Sequence, residues 1–283
     1  MNENIIIIIK NHYFHMSKSQ KRISDYILNN SIKVAFMTAK VLAKESEVSE
    51  STVVRFANSI GFIGYPELID ALQDNIRSNI TTIERFDLSN DDDFQDEEFN
   101  KSIMHYDIKN IKSAIKKNSN EIIDLIADEL SESNRIYILG LRSSKILSSY
   151  LSYYLSLMFS ESFVKEIEAQ NIFDDLVNLR QGDVLVAIAF PRYSKLTIEA
   201  LKYAKDNKII VIGLTDSYMS PICKYSKYTL FADLSISTFI NSLVAPMSLI
   251  NSIIMAISKK NKKTIQQKFK KLENVWDEYG IFK

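Results

Sequence analysis

Three short stretches place hydroxyls, guanidiniums or a glycine directly behind apolar runs: Gly140-Leu141-Arg142-Ser143-Ser144, Phe190-Pro191-Arg192-Tyr193-Ser194-Lys195 and Leu214-Thr215-Asp216-Ser217. At a helix start, unpaired N–H groups and the helix dipole favour an anion. A guanidinium adds bidentate phosphate binding. The candidate anion contacts are therefore Gly140, Arg142, Ser143, Ser144, Arg192, Tyr193, Ser194, Thr215, Asp216 and Ser217. Taken alone, Ser143 and Ser144 read first as helix N-caps. Three polar loops of the same kind make an anion site a stronger reading than any one of them does. A fourth stretch, Thr38–Leu68, sorts its residues in another way. Leu42, Ala43, Val48, Val53 and Phe56 have the spacing of two crossed helices sharing a small core. Thr38, Lys40, Ser49, Glu50, Ser51, Thr52 and Arg55 are left on the outer face and at the start of the second helix. A helix that enters a DNA major groove needs this division, because its N-terminal residues meet phosphates and base edges. A helical hairpin that binds nothing is the competing reading.

The elements that must position these residues are legible. Thr38 and Ser49 are N-cap types, Gly61 suits a left-handed C-cap, and Pro66 suits a first helical turn. Ser17-Lys18-Ser19-Gln20 has the pattern of a capping box opening an amphipathic helix through Ile23, Tyr26 and Ile27. Ile5–Ile9 reads as one side of a first helix or a packing arm. From Arg135 onward strands and helices alternate. Arg135–Leu139, Ser162–Ile167, Asp183–Phe190, Ile209–Leu214 and Tyr228–Ala232 read as strands, with helices over 143–158 and 194–207. Near-continuous apolar strands separated by helices imply a parallel sheet covered on both faces. The expected fold is an all-α domain followed by an α/β three-layer domain with a five-stranded parallel sheet. Its boundaries read as 1–83 for the helical domain, 84–100 for an acidic linker (ERFDLSNDDDFQDEEFN) and 101–283 for the α/β domain. Phe239–Ile257 reads as a buried helical segment, kinked or interrupted at Pro246.

Composition narrows the functional classes. The 283 residues carry 35 basic and 35 acidic side chains, which argues against a generally basic nucleic-acid coat. A local basic face remains available from Lys10, Lys18, Lys21, Arg22, Lys40, Lys44 and Arg55. The one cysteine, Cys223, forms no intrachain disulfide, and no Cys/His cluster has zinc-ligand spacing, so no metal and no cofactor are expected. The N-terminus lacks the features of a signal peptide. No run reaches the roughly 20 uninterrupted apolar residues of a membrane span. A cytoplasmic protein without a membrane partner is the expectation.

The runs MSKSQKRISDYILNN and FMTAKVLAKESEVSESTVVRFANSIGFIGYPEL resemble the N-terminal domain of RpiR/MurR-type bacterial transcriptional regulators. GLRSS, FPRYSKLTIEALKYAK and VIGLTDSYMSPICKYSKYTLFA are similar to segments of a SIS (sugar isomerase) domain. The resemblance implies a helix-turn-helix domain that is dimeric on double-stranded operator DNA, followed by a domain that senses a sugar-phosphate effector. The chain also departs from the pattern. Glu47 occupies the turn where the family often has glycine. The segment around Ala57–Ile63 is less basic than usual. Ala189, Pro191, Arg192 and Ser194 stand at the places of a Ser-x-Ser-Gly-x-Thr pattern, and Arg142 stands where many relatives have glycine.

The function expected from residues and resemblance together is a DNA-binding regulator of carbohydrate metabolism. Its operator affinity would be set by a phosphorylated sugar or related anion, and it would work as a homo-oligomer, dimer or tetramer. Two alternatives stand beside it. A SIS-fold isomerase or lyase needs a base. His12, His15 and His105 all fall outside the sheet domain, while Glu161, Glu166, Glu168, Asp174 and Asp175 lack an evident partner. An interaction protein with a degenerate SIS pocket is the third reading.

Overall fold

The computed structural model describes residues 5–77, 81–89, 99–159, 163–234 and 240–282. The chain divides into two compact units, one built on the N-terminal helices and the other on the helices and sheet that begin at Phe99.

The first unit contains α1 (Ile5–His12), α2 (Lys18–Asn29), α3 (Ser31–Val34), α4 (Ala39–Glu45), α5 (Glu50–Ser59), α6 (Tyr65–Arg77) and α7 (Thr82–Ser89). The isoleucine run is thus helical, with Ile5 and Ile9 buried on one side. Ser17 and Gln20 close the capping box at the start of α2, side chain to backbone in both directions. Ile9, Ile23, Ile27, Leu42, Val53, Phe56, Leu68 and Leu72 make a fully buried core. Phe56 alone stands for about 3–5 kcal/mol on truncation to alanine.

Two turns in this unit share one design. After α5, Gly61 is left-handed at φ 97°; its N–H donates to the Asn58 carbonyl at 3.2 Å, and the Phe62 N–H donates to the Ala57 carbonyl at 3.0 Å. After α4 the same Schellman pair joins Glu47 to Lys44 at 3.2 Å and Val48 to Ala43 at 2.9 Å, with Glu47 at φ 53° in the glycine position. Residues 84–89, read as the start of an acidic linker, complete α7. The rest of that run lies outside the described residues up to Phe99.

The second unit contains α8 (Phe99–Lys117), α9 (Asn120–Glu132), β1 (Ile136–Gly140), α10 (Ser144–Met158), β2 (Val164–Glu166), α11 (Ile172–Leu176), β3 (Val184–Ile188), α12 (Lys195–Asp206), β4 (Ile210–Thr215), β5 (Tyr228–Phe231), α13 (Val244–Lys260) and α14 (Lys262–Tyr279). All strand pairs are parallel, in the order β2-β1-β3-β4-β5. Alternate residues feed two cores, as a pleated strand requires. Ile136, Ile138, Val184, Val186 and Ile188 pack on one face with α9, α10 and α13; Tyr137, Leu139, Leu185 and Ala187 pack on the other with α11 and α12.

Pro246 corrects one expectation. It neither kinks nor interrupts a helix, because α13 begins at Val244 and places Pro246 in the first turn. A missing N–H costs no intrahelical bond there. The sequence segment from 235 to 239 lies outside the described residues.

Candidate functional site

The predicted residues of the α4–turn–α5 segment fall at the starts of both helices and along α5. Thr38 caps α4 by accepting from Val41 N–H at 3.3 Å, and Ser49 caps α5 by accepting from Thr52 N–H at 3.3 Å. The Ser49 hydroxyl also lies 2.9 Å from that of Ser51 and 2.8 Å from that of Thr52. Thr38, Lys40, Ser49, Glu50, Ser51 and Arg55 are exposed, and Thr52 is half-buried. The Arg55 guanidinium folds along its own helix, donating to the Ser51 carbonyl at 3.2 Å and the Thr52 hydroxyl at 3.5 Å. Glu50 sits in the first turn of α5, where the dipole favours a carboxylate. The opposite face, Val53, Phe56 and Ala57, is buried. Packing thus fixes one side of α5 and leaves a hydroxyl-rich start and a folded guanidinium outward.

The second candidate site lies at the carboxyl ends of the strands. The chain leaves β1 toward β2 on one side and returns to β3 on the other, so β1 and β3 flank the switch point where ligands of open α/β sheets bind. Gly140 is register-paired with Ile188, which brings the two following loops side by side. Each loop carries an arginine with positive φ: Arg142 at 57° and Arg192 at 68°. Both side chains are exposed. The resemblance to SIS segments implies glycine at these two positions. The backbone keeps the glycine conformation and gains a cation at a cost of about 1–2 kcal/mol each.

The hydroxyls are placed less uniformly than their sequence suggests. Ser143 is exposed and helical in conformation, φ −62° and ψ −30°, and forms no side-chain cap bond to α10. Ser194 precedes α12 and likewise forms no cap bond. The N-cap reading of Ser143 gives way to a hydroxyl that makes no cap bond, and the Ser194 hydroxyl makes none either. Ser144 is buried in the first turn of α10. A Cβ at Gly140 would meet the Ser144 carbonyl at 2.5 Å and the Ser148 hydroxyl at 2.8 Å, so this glycine lets α10 approach β1 closely. Thr215 and Asp216 are buried. Asp216 Oδ1 accepts from the Tyr193 hydroxyl at 2.5 Å and the Thr215 hydroxyl at 3.2 Å, and Thr215 also bonds Ser220 at 2.7 Å. This network ties the loop after β3 to the loop after β4. Burial, then the Asp216 charge and hydrogen bond, push the Tyr193 phenol well above its ordinary range.

Three of the carboxylates weighed as bases, Glu166, Glu168 and Asp175, are engaged elsewhere. Glu166 accepts from the hydroxyls of Ser148 at 2.6 Å and Ser149 at 2.8 Å and pairs with Lys145 at 3.0 Å. Glu168 pairs with the same lysine at 2.6 Å, and Asp175 pairs with Lys165 at 2.5 Å. Glu161 lies outside the described residues. Lys145, on α10, joins Glu166 and Glu168, a role that no local sequence pattern marks. Among the described residues no group of His, Cys, Asp and Glu is placed to hold a metal, and no helix is long and apolar enough to cross a membrane.

Comparison with known proteins bears on both sites. The model of the rpiR-family helix-turn-helix domain matches residues 3–79, and that of the SIS domain matches residues 129–256. An uncharacterized HTH-type transcriptional regulator of Clostridium perfringens is 26% identical over 223 residues, 78% of this chain and 79% of that protein. The HTH-type transcriptional regulator HexR of Pseudomonas aeruginosa is 24% identical over 225 residues, 79% and 77% of the two chains. Among solved structures, the Vibrio vulnificus NanR protein complexed with ManNAc-6P is 21% identical with a TM-score of 0.56, covering 96% of this chain and 99% of that one. The sugar isomerase domain of an RpiR transcription factor from Sphaerobacter thermophilus gives 18% and 0.59, covering 63% and 99%. At these identities the solved structures speak for the fold. With an rpiR-type helix-turn-helix domain and a SIS domain in one chain, this protein belongs to the RpiR family of transcriptional regulators.

Proposed function

We propose that this regulator binds double-stranded operator DNA through the start of α5, and that a phosphorylated sugar or related anion at the ends of β1, β3 and β4 changes its operator affinity. The observation that carries the effector half is the pair of arginines at positive φ on either side of the switch point. An arginine is held in a strained conformation most readily where function needs it, and two cations beside helix starts form a phosphate site. Ser143, Ser194 and Ser217 supply hydroxyls beside them. ManNAc-6P in the NanR complex supports the choice of ligand class. The DNA half rests on Thr38, Lys40, Ser49, Glu50, Ser51, Thr52 and Arg55. Serine and threonine hydroxyls meet phosphates, Arg55 unfolds onto a phosphate or a guanine edge, and Glu50 accepts from a cytosine amine.

The division into a DNA-reading domain over 1–83, a linker over 84–100 and an effector domain over 101–283 belongs to this proposal. So does the homo-oligomer: two copies would read half-sites about one helical turn apart. Exposed apolar side chains on α10 (Ile146, Tyr153 and Tyr154) and on α14 (Phe269, Val275 and Tyr279) support a self-association face on the second unit. An enzymatic role is disfavoured, because Glu166, Glu168 and Asp175, three of the side chains considered as bases, are bonded to Lys145, Lys165, Ser148 and Ser149. The test is unbiased selection of DNA sites by the purified full chain, followed by mobility shift on the selected site with a panel of sugar phosphates. A specific shift altered by one compound is the expected result. No selected site overturns the DNA half. A selected site that no compound affects overturns the effector half.

A further inference from the structure

Phe231, the last residue of β5, is held from two directions. On the sheet side it is register-paired with Thr215 of β4, and the next N–H, that of Ala232, donates to the Thr215 carbonyl at 2.8 Å. Its ring packs on Tyr218 in the loop after β4, with centroids 4.1 Å apart. Among the described residues the outer edge of β5 has no strand neighbour. Asn118, just past the end of α8, takes that place. The Phe231 N–H donates to Asn118 Oδ1 at 2.8 Å, and Asn118 Nδ2 donates to the Phe231 carbonyl at 2.8 Å. One side-chain amide thus reproduces both hydrogen bonds of a strand partner. Nδ2 donates as well to the Ala114 carbonyl at 2.7 Å, and the whole side chain is buried. Two residues beyond Phe231, Asp233 accepts from Lys117 Nζ at 2.5 Å and from the Ser113 hydroxyl.

Covering a sheet edge explains a helix lying there. It does not require two buried bonds to the one residue whose ring packs on the loop after β4 and whose strand partner ends β4. A displacement of Tyr218 or Thr215 moves Phe231. Phe231 cannot move away from Asn118 without stranding buried amide groups, which is costly. The end of α8 therefore follows. The helix has 19 residues. At a rise of about 1.5 Å per residue, it carries a small tilt at Lys117 over roughly 28 Å to Phe99.

We propose that Asn118, braced by Lys117 and Ser113 on Asp233, is the joint that couples the β4 loop of the effector site to α8, the helix that follows the DNA-binding unit in the chain. This rests on the effector-regulated reading above and assigns the contact through which that regulation acts. Coupling is reciprocal. Operator DNA alone must therefore alter the β4 and β5 loops, and the joint can be tested with no effector in hand.

The experiment is amide hydrogen exchange on the full chain, with and without an operator fragment recovered by site selection, for the wild type, Asn118→Ser and Lys117→Met. In the wild type, DNA should change exchange of peptides spanning 214–234 by at least threefold. In both variants that change should vanish while operator Kd stays within twofold of the wild type. An unchanged wild-type exchange pattern overturns the proposal, as does a variant that responds like the wild type. If Asn118→Ser does not fold, the milder Lys117→Met decides. Failure of the broader reading is separate and visible: no DNA is selected, and the joint falls with it.

Discussion

Arg142 and Arg192 adopt the same left-handed backbone conformation, φ 57° and 68°, in the loops that follow the paired strands β1 and β3. Glycine fits that conformation without strain, so Arg→Gly separates the side chain from the backbone. Arg142→Gly should leave the ligand-free protein as stable or up to about 1 kcal/mol more stable, and Arg192→Gly relieves the same backbone strain. Each should weaken binding of a sugar phosphate roughly 10- to 100-fold, the loss of a charge-assisted phosphate contact. Calorimetric titration with the panel compound that most raises the wild-type Tm measures this. Unchanged affinity in both variants removes the arginines from the site.

Arg55 gives up weak bonds to Ser51 and Thr52 when it reaches DNA, so its contribution is close to that of an open guanidinium. Arg55→Ala should weaken specific operator binding by about 1–3 kcal/mol if it reads a base edge. If it contacts a phosphate, weakening is uniform across sequences and the salt slope falls by about one. Mobility shift at several salt concentrations separates these results. No change in either places Arg55 outside the interface.

Glu47 carries the glycine conformation of the turn between α4 and α5, held by Arg22, which donates to its carbonyl at 3.3 Å and approaches its carboxylate at 3.5 Å. The ion pair is exposed and worth little. Glu47→Gly should stabilise the helical domain by about 0.5–1 kcal/mol, because relief of strain exceeds the lost pair and the added chain entropy. Chemical denaturation checks the sign. A destabilised variant would mean that Arg22 contributes more than the strain costs.

Two phenols, Tyr65 buried and Tyr193 half-buried, set a pH dependence. Burial raises Tyr65, which donates to the Met37 carbonyl at 2.8 Å; burial, then the Asp216 charge and bond, raises Tyr193. The folded state holds these protons more tightly than the unfolded chain does. Their stabilisation is therefore complete below the ordinary pKa of 10.0 and is lost as pH rises above it. Wild-type Tm should fall above about pH 10, and Tyr193→Phe should start lower and fall less steeply. Loss of the Asp216 bond costs about 1–3 kcal/mol at neutral pH. Parallel slopes for wild type and Tyr193→Phe would show that this phenol does not titrate with unfolding.

Much of the architecture was legible because it rests on local chemistry. The caps at Ser17, Thr38 and Ser49, the left-handed Gly61 and the apolar runs of β1, β3 and β4 follow from short-range rules. The effect of Pro246 is not legible locally, because it depends on where the helix starts, a boundary that apolar composition does not mark. Ser143 looked like a cap, but the cap position is set by backbone angles that the packing of α10 on Gly140 imposes.

The sequence by itself determined the elements, their order and the residue types at the strand ends, since periodicity, capping and turn chemistry act over a few residues. Only the tertiary structure decided which polar groups face outward and which are consumed. Thr215 and Asp216 are adjacent to Ser217 in the chain, yet the first two are buried under Tyr193 and the third is half-buried. Asn118 and Phe231 lie 113 positions apart and meet because a sheet edge must satisfy its backbone groups. Such pairings depend on how distant segments pack, and no local pattern encodes them.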